Sequence, residues 1–191
     1  MASRVIELLS ENYDEKFGVV NLRSVLDELS LVSQHPFNDI SVSFEHAEPR
    51  WQPSILEAMR VLAISNGCSK DEAWEILRAT TVVASDIGNE EYFKSVNALV
   101  TSTNASDALA EFIAELLAQR PDDFRRRLAF YVVGMLIEHG MTEFHKDILS
   151  ALRYAAAVEN SLQSRQQMEE LLGRLPETMR GEAYSGETEP A

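Results

Sequence analysis

Ala63-Ile64-Ser65-Asn66-Gly67-Cys68-Ser69 decides how this chain is read: an apolar run stops at a glycine and restarts at once with a hydroxyl residue. Glycine reaches the left-handed conformation that ends a helix without a Cβ clash, and a Ser two residues later can accept the unpaired amides of the next helix. Ser69-Lys70-Asp71-Glu72 completes a capping box, in which hydroxyl and carboxylate satisfy one amide each. The pattern recurs at Leu136-Ile137-Glu138-His139-Gly140-Met141-Thr142, which predicts a second helical hairpin turning at Gly140 with Thr142 as the cap.

Helical periodicity extends outward from both turns. A short helix is expected over 3–12, and Asn21 should cap another to about Ser33 with Leu22, Val25, Leu26, Leu29 and Val32 inward. Pro53 suits the first turn of a helix over 54–66, buried through Leu56, Met59, Leu62 and Ala63. After Ser69 the helix should reach Ser85. Further helices are expected over 90–102 and 107–119, the latter opened by Asn104 or Ser106, and from Pro121 with its following Asp122 and Asp123. Leu128 to Ile137 is apolar all round and should form the central helix, with Gly134 placed for a close crossing. From Thr142 one long helix is expected to continue to Gly173 with a polar second half.

One segment departs from this period. Asp39-Ile40-Ser41-Val42-Ser43-Phe44-Glu45 alternates strictly, as in a strand, and no second alternating run exists to pair with it. The fold expected is therefore all-α, a bundle of roughly seven or eight helices with one isolated strand at 39–45. A single helical domain should span 1–176, with 1–50 a semi-independent region, and 177–191 should be a disordered acidic tail.

The 191 residues carry 31 acidic and 17 basic side chains, a formal net charge of -14. An acidic surface repels phosphate backbones and anionic membranes, so direct nucleic-acid or membrane binding is not expected. A helix-turn-helix at Ser69–Ala84 is rejected because Asp71, Glu72 and Glu75 would face phosphate. The longest apolar stretch is about half of the roughly 20 residues a bilayer crossing needs. With no secretory signal pattern and only Cys68 for a thiol, a cytoplasmic location is expected.

Roughly 20 residues around each glycine resemble the tellurite-resistance TerB-like helical family, in which a helix, an acidic-Gly turn and another helix occur twice and bind metal. Asn66 and His139 stand where that pattern places aspartate, so its metal role does not carry over. The likeness reads as shared helix punctuation.

Chemistry-bearing residues are few. Glu138, His139, Glu143 and His145 bracket Gly140 and include borderline metal-ligand types, but the Glu-x-x-His spacing of di-iron bundles is absent. His139 suits a helix C-terminus by charge alone. Cys68 precedes a helix N-terminus, where a thiolate is favoured, yet no base or oxyanion pattern accompanies it. Arg125-Arg126-Arg127, with Arg120 and Arg153, is the one basic cluster; its members diverge by 100° per residue and should pair with nearby carboxylates. No catalytic, cofactor-binding or metal residue is assigned.

These features point to a non-catalytic acidic protein acting through protein contacts, as an adaptor, assembly component or inhibitor, with a protein partner or a second copy of itself. The exposed-looking Arg50-Trp51 region, the unpaired strand and the long last helix motivate this expectation. Two alternatives are a nucleic-acid mimic encoded by a mobile element, using groups such as Asp27-Glu28, Asp71-Glu72-Glu75, Glu90-Glu91 and Asp107-Glu111-Glu115, and a metal-dependent helical enzyme or sensor at the second turn.

Overall fold

The computed structural model describes residues 2–102, 105–118, 121–141 and 144–175. Ten helices and one two-stranded hairpin account for their regular structure, an all-α fold with more helices than expected. The chain divides into two compact units, one ending at Ala105 and the other beginning at Ser106.

The first unit opens with α1 (Ala2–Glu11), a hairpin of β1 (Tyr13–Asp14) and β2 (Val19–Val20), and α2 (Leu22–Val32). Asn21 caps α2 by accepting from the Ser24 amide, as its side-chain chemistry predicts. Helices α3 (Pro36–His46), α4 (Gln52–Asn66), α5 (Lys70–Ile87) and α6 (Glu90–Val100) follow. Helix α4 is the centre of the unit, packing on α3, α5 and α6, and its Ile55, Leu56, Met59 and Ala63 are buried.

The turn at Gly67 is as the sequence dictates. Gly67 takes φ +78°; Ser69 Oγ accepts from the Glu72 amide at 3.2 Å and Glu72 Oε2 accepts from the Ser69 amide at 2.8 Å. The first turn of α5 is thereby satisfied at both groups.

Residues 39–45 are helical, not a strand. Pro36 lies in the first turn of α3, and Ile40, Ser43 and Phe44 form its buried face while Val42 stays 44% exposed. Ile40 and Phe44 satisfy the i, i+4 spacing of a helix as well as the alternation of a strand. Only a helix satisfies its own backbone where no partner strand exists.

The second unit contains α7 (Ser106–Leu117), α8 (Asp123–Glu138), α9 (Lys146–Ala157) and α10 (Leu162–Gly173). Asp122 caps α8 by accepting from the Arg125 amide at 2.8 Å. Helix α8 buries Leu128, Ala129, Phe130, Val132, Val133 and Leu136. A Cβ built on Gly134 would lie 3.7 Å from Leu171 of α10, ordinary contact, so this crossing does not demand glycine.

At the second turn Gly140 takes φ +89° and the Met141 amide returns to the Leu136 carbonyl at 2.9 Å, closing α8 in the Schellman manner. The next helix is capped by His145, whose side chain accepts from the Asp147 amide. Thr142, the cap expected from sequence, lies outside the described residues, as do Asn104, Arg120 and 177–191.

The long last helix is a second correction. It is interrupted between α9 and α10 by Val158, Glu159, Asn160 and Ser161, and Ser161 caps the new helix by accepting from the Ser164 amide at 3.3 Å. Neither Gly nor Pro marks the break. Beside the Ser161 cap a tertiary contact holds it: the Glu159 side chain is fully buried against arginines from α8.

Candidate functional site

The residues best placed for contact with another molecule come from the first hairpin. Asp14-Glu15-Lys16-Phe17-Gly18 forms its loop by local chemistry: Asp14 Oδ1 accepts from the amides of Lys16 at 2.9 Å and Phe17 at 3.2 Å, an Asx turn. The Gly18 amide donates to the Asp14 carbonyl at 2.8 Å. At φ +66° this position favours glycine. Tyr13 then pairs with Val20 and Asp14 with Val19.

This loop holds Phe17 at 69% exposure, Val19 at 56% and Tyr13 at 41%. Three large apolar side chains are thus presented to solvent within seven positions, against the hydrophobic gradient and with no loss of local order. Lys16 Nζ lies 5.2 Å from the centre of the Phe17 ring, a cation–π distance.

Trp51 and Arg50 extend the surface. The sequence suggests both are exposed, but Trp51 is only 6% exposed. It stands at the start of α4 with Tyr13 edge-on to it, ring centres 5.5 Å apart at 88°, the arrangement favoured by the ring quadrupoles. Arg50 lies over the Trp51 ring at 4.8 Å and is paired with Glu48 at 3.0 Å. A cavity of about 290 Å³ opens between the hairpin and α4, with Tyr13, Arg50 and Trp51 on its wall and Ser10, Glu15 and Ser54 among its polar groups. Aromatic side chains and arginine are the types that concentrate binding energy at protein interfaces.

The other candidates are engaged internally. Cys68 is 4% exposed and donates to the Ser69 carbonyl at 3.3 Å. Burial, with help from Glu72, pushes its pKa up to about 12, so the thiol stays protonated at neutral pH. The helix N-terminus does not overcome desolvation here.

Arg126 is buried, with Nη1 donating to the Pro121 carbonyl at 2.6 Å, Nε donating to Glu159 at 3.4 Å and Nη2 paired with Asp123. Arg127 reaches Glu159 at 3.9 Å. Two members of the run, Arg126 and Arg127, therefore pair with carboxylates.

His139 Nδ1 lies 2.9 Å from the Met135 carbonyl at the end of α8, and His145 Nδ1 is used in capping α9. Glu138 is exposed and Glu143 lies outside the described residues. Among the described residues no three His, Cys, Asp or Glu side chains are grouped to hold a metal ion.

A buried polar network in the first unit gave no sequence signal. Arg60, 3% exposed, donates through Nε to Ser95 Oγ at 2.9 Å and through Nη2 to the Glu91 carbonyl at 3.0 Å and Glu91 Oε2 at 2.7 Å. Ser95 Oγ is 2.6 Å from Thr80 Oγ1, and Lys94 Nζ reaches Glu91 Oε1 at 2.6 Å. Burial opposes ionisation of Glu91, but Lys94 and Arg60 outweigh it and hold its carboxyl below the ordinary range. Every group is used in holding α4, α5 and α6 together, so the cluster reads as a structural lock.

No family model, curated protein or solved structure matches the chain.

Proposed function

We propose that the protein acts through protein contacts without catalysing a reaction, and that the Tyr13–Val20 hairpin with Arg50 is its contact surface, supported from beneath by the buried Trp51. The observation that carries this reading is the exposure of Tyr13, Phe17 and Val19 on a loop fixed by its own hydrogen bonds. Leaving such side chains in water is costly at about 25 cal/mol per Å² of apolar area. Exposed aromatic side chains and arginine are enriched at recognition sites. The role fits an adaptor, an assembly component or an inhibitor.

Nucleic-acid mimicry is supported less well. Glu28 pairs with Arg4, Glu72 is held in the capping box, Glu75 pairs with Arg78 and Glu91 with Arg60 and Lys94. Carboxylates that are partly neutralised or occupied by groups of their own chain present less phosphate-like charge outward.

Native affinity capture with the full chain and with Phe17→Asp tests the proposal. An exposed substitution should move stability by no more than about 0.5 kcal/mol, while placing a charge in the centre of the contact should abolish recovery of a partner that the unsubstituted chain captures stoichiometrically. Equal recovery by a folded Phe17→Asp protein would remove the hairpin from the interface.

A further inference from the structure

The bend between α9 and α10 contains no helix breaker, and one residue holds it. Glu159 accepts from the Ser161 amide at 3.0 Å and from Arg126 Nε at 3.4 Å, and its own carbonyl accepts from Arg165 Nε at 3.1 Å and Nη2 at 2.5 Å. Two arginines of α8, Arg126 and Arg127, thus converge on a side chain with no exposed surface, while Arg165 of α10 holds the main-chain carbonyl of the same residue.

The arm held by this clasp is lightly seated. Helix α10 buries only Met168 along its length, followed by Leu175 just beyond its end, while Leu162 is 69% exposed. Its start lies by Arg126 through Glu159, and its far end meets Gly134 through Leu171. Helix α10 therefore runs back along α8, antiparallel to α9.

We propose that Val158–Ser161 is a hinge clasped by Glu159, and that releasing the clasp lets α9 and α10 join into one helix whose arm docks on α8 and α9 of a second copy of this chain. The straight form is open to the local sequence, because no Gly or Pro lies between Lys146 and Leu172 and the backbone hydrogen bonds gained across the hinge offset the Ser161 cap that is given up. The bent form is favoured by the Glu159 contacts and by burial of Met168 and Leu175. In a reciprocal exchange the second copy supplies the same seat for those side chains, so the only interactions lost are those at the clasp and the Ser161 cap. A short connection between an element and its seat is the usual setting for such domain swapping.

Pulsed electron–electron resonance and light scattering test this in a Cys68→Ala background, with spin labels at Ser150→Cys and Glu170→Cys, both on exposed positions. A continuous helix sets these positions about 30 Å apart along its axis, and the bent form brings them to opposite sides of one helix pair. The unsubstituted hinge should give the short distance and the mass of a single chain. Glu159→Ala should give twice that mass and a long distance within each chain, beside the short one that each arm makes with α9 of the second copy, and adding Asn160→Pro, which forbids a continuous helix, should remove the long distance and restore the single mass. A folded Glu159→Ala protein that shows no long distance or keeps the single mass overturns the proposal, as does a double variant that keeps the long distance. If Glu159→Ala does not fold, Arg165→Ala should still produce a long-distance population, and its absence would overturn the proposal equally.

Discussion

Arg60 shows how an acidic helical protein accommodates a cation in its interior. Its guanidinium is enclosed, but Ser95, Glu57, Glu91 and the Glu91 carbonyl satisfy it from three sides. Removing one partner of such a pair leaves an uncompensated charge, at a cost of about 3–5 kcal/mol. Arg60→Met should therefore lower thermal stability by an amount in that range, whereas Arg78→Met, whose ion pair is exposed, should change it by less than about 1 kcal/mol. Equal effects in thermal denaturation would show that Arg60 is not the lock described above.

The same residues set a pH dependence. In Glu159 the Ser161 amide leads in holding the carboxyl below the ordinary range, burial opposes it, and Arg126 and Arg127 add to the lowering; Glu91 is shifted in the same direction. A carboxyl depressed in the folded state stabilises fully above its unfolded pKa, near 4.3 for glutamate, and that contribution is lost as pH falls through the folded value. Melting temperature should be flat in this respect above about pH 5 and fall below about pH 4. Glu91→Gln should flatten part of that acid limb, and an unchanged slope would contradict the assignment. Neither pair was legible in the sequence, because Arg60 and Glu91 are separated by a helix and a turn and only the packed fold makes them neighbours.

At the scale of elements, what could be read was whatever is written in adjacent residues. Gly67 with Ser69 and Glu72, Asn21 before Leu22, and Asp122 before Asp123 each specify a helix end through groups three residues apart. Ser69→Ala should cost about 1 kcal/mol of stability, with hydrogen exchange quickened first at the Glu72 amide.

Elements set by distant contacts were misread. Alternation at Ile40, Val42 and Phe44 resembled a strand because i, i+4 and i+2 spacings coincide there. The break at Glu159 was invisible because the tertiary contact that holds it lies on α8. The β1–β2 hairpin escaped because its strands are two residues each, although Asp14 and Gly18 at the ends of a short loop were a usable signal.

For the whole molecule, no helix among the described residues is long and apolar enough to cross a membrane, and the polar groups buried in each unit are spent on holding helices together. Among the apolar side chains that the fold leaves exposed are those of the first hairpin, backed by the Tyr13–Trp51 pair and Arg50. The arginine, tryptophan and tyrosine could be picked out in the sequence, but their meeting around one cavity depends on α4 and the hairpin being brought together. The central claim is that this meeting is a surface for another protein. Site-specific photocrosslinking in the cell tests it most directly, with benzoylphenylalanine replacing Phe17 in one protein and Ile87, itself 57% exposed, in another. The account predicts a discrete adduct of one size at position 17 and none at position 87; no adduct at 17, or the same adducts at both, would contradict it.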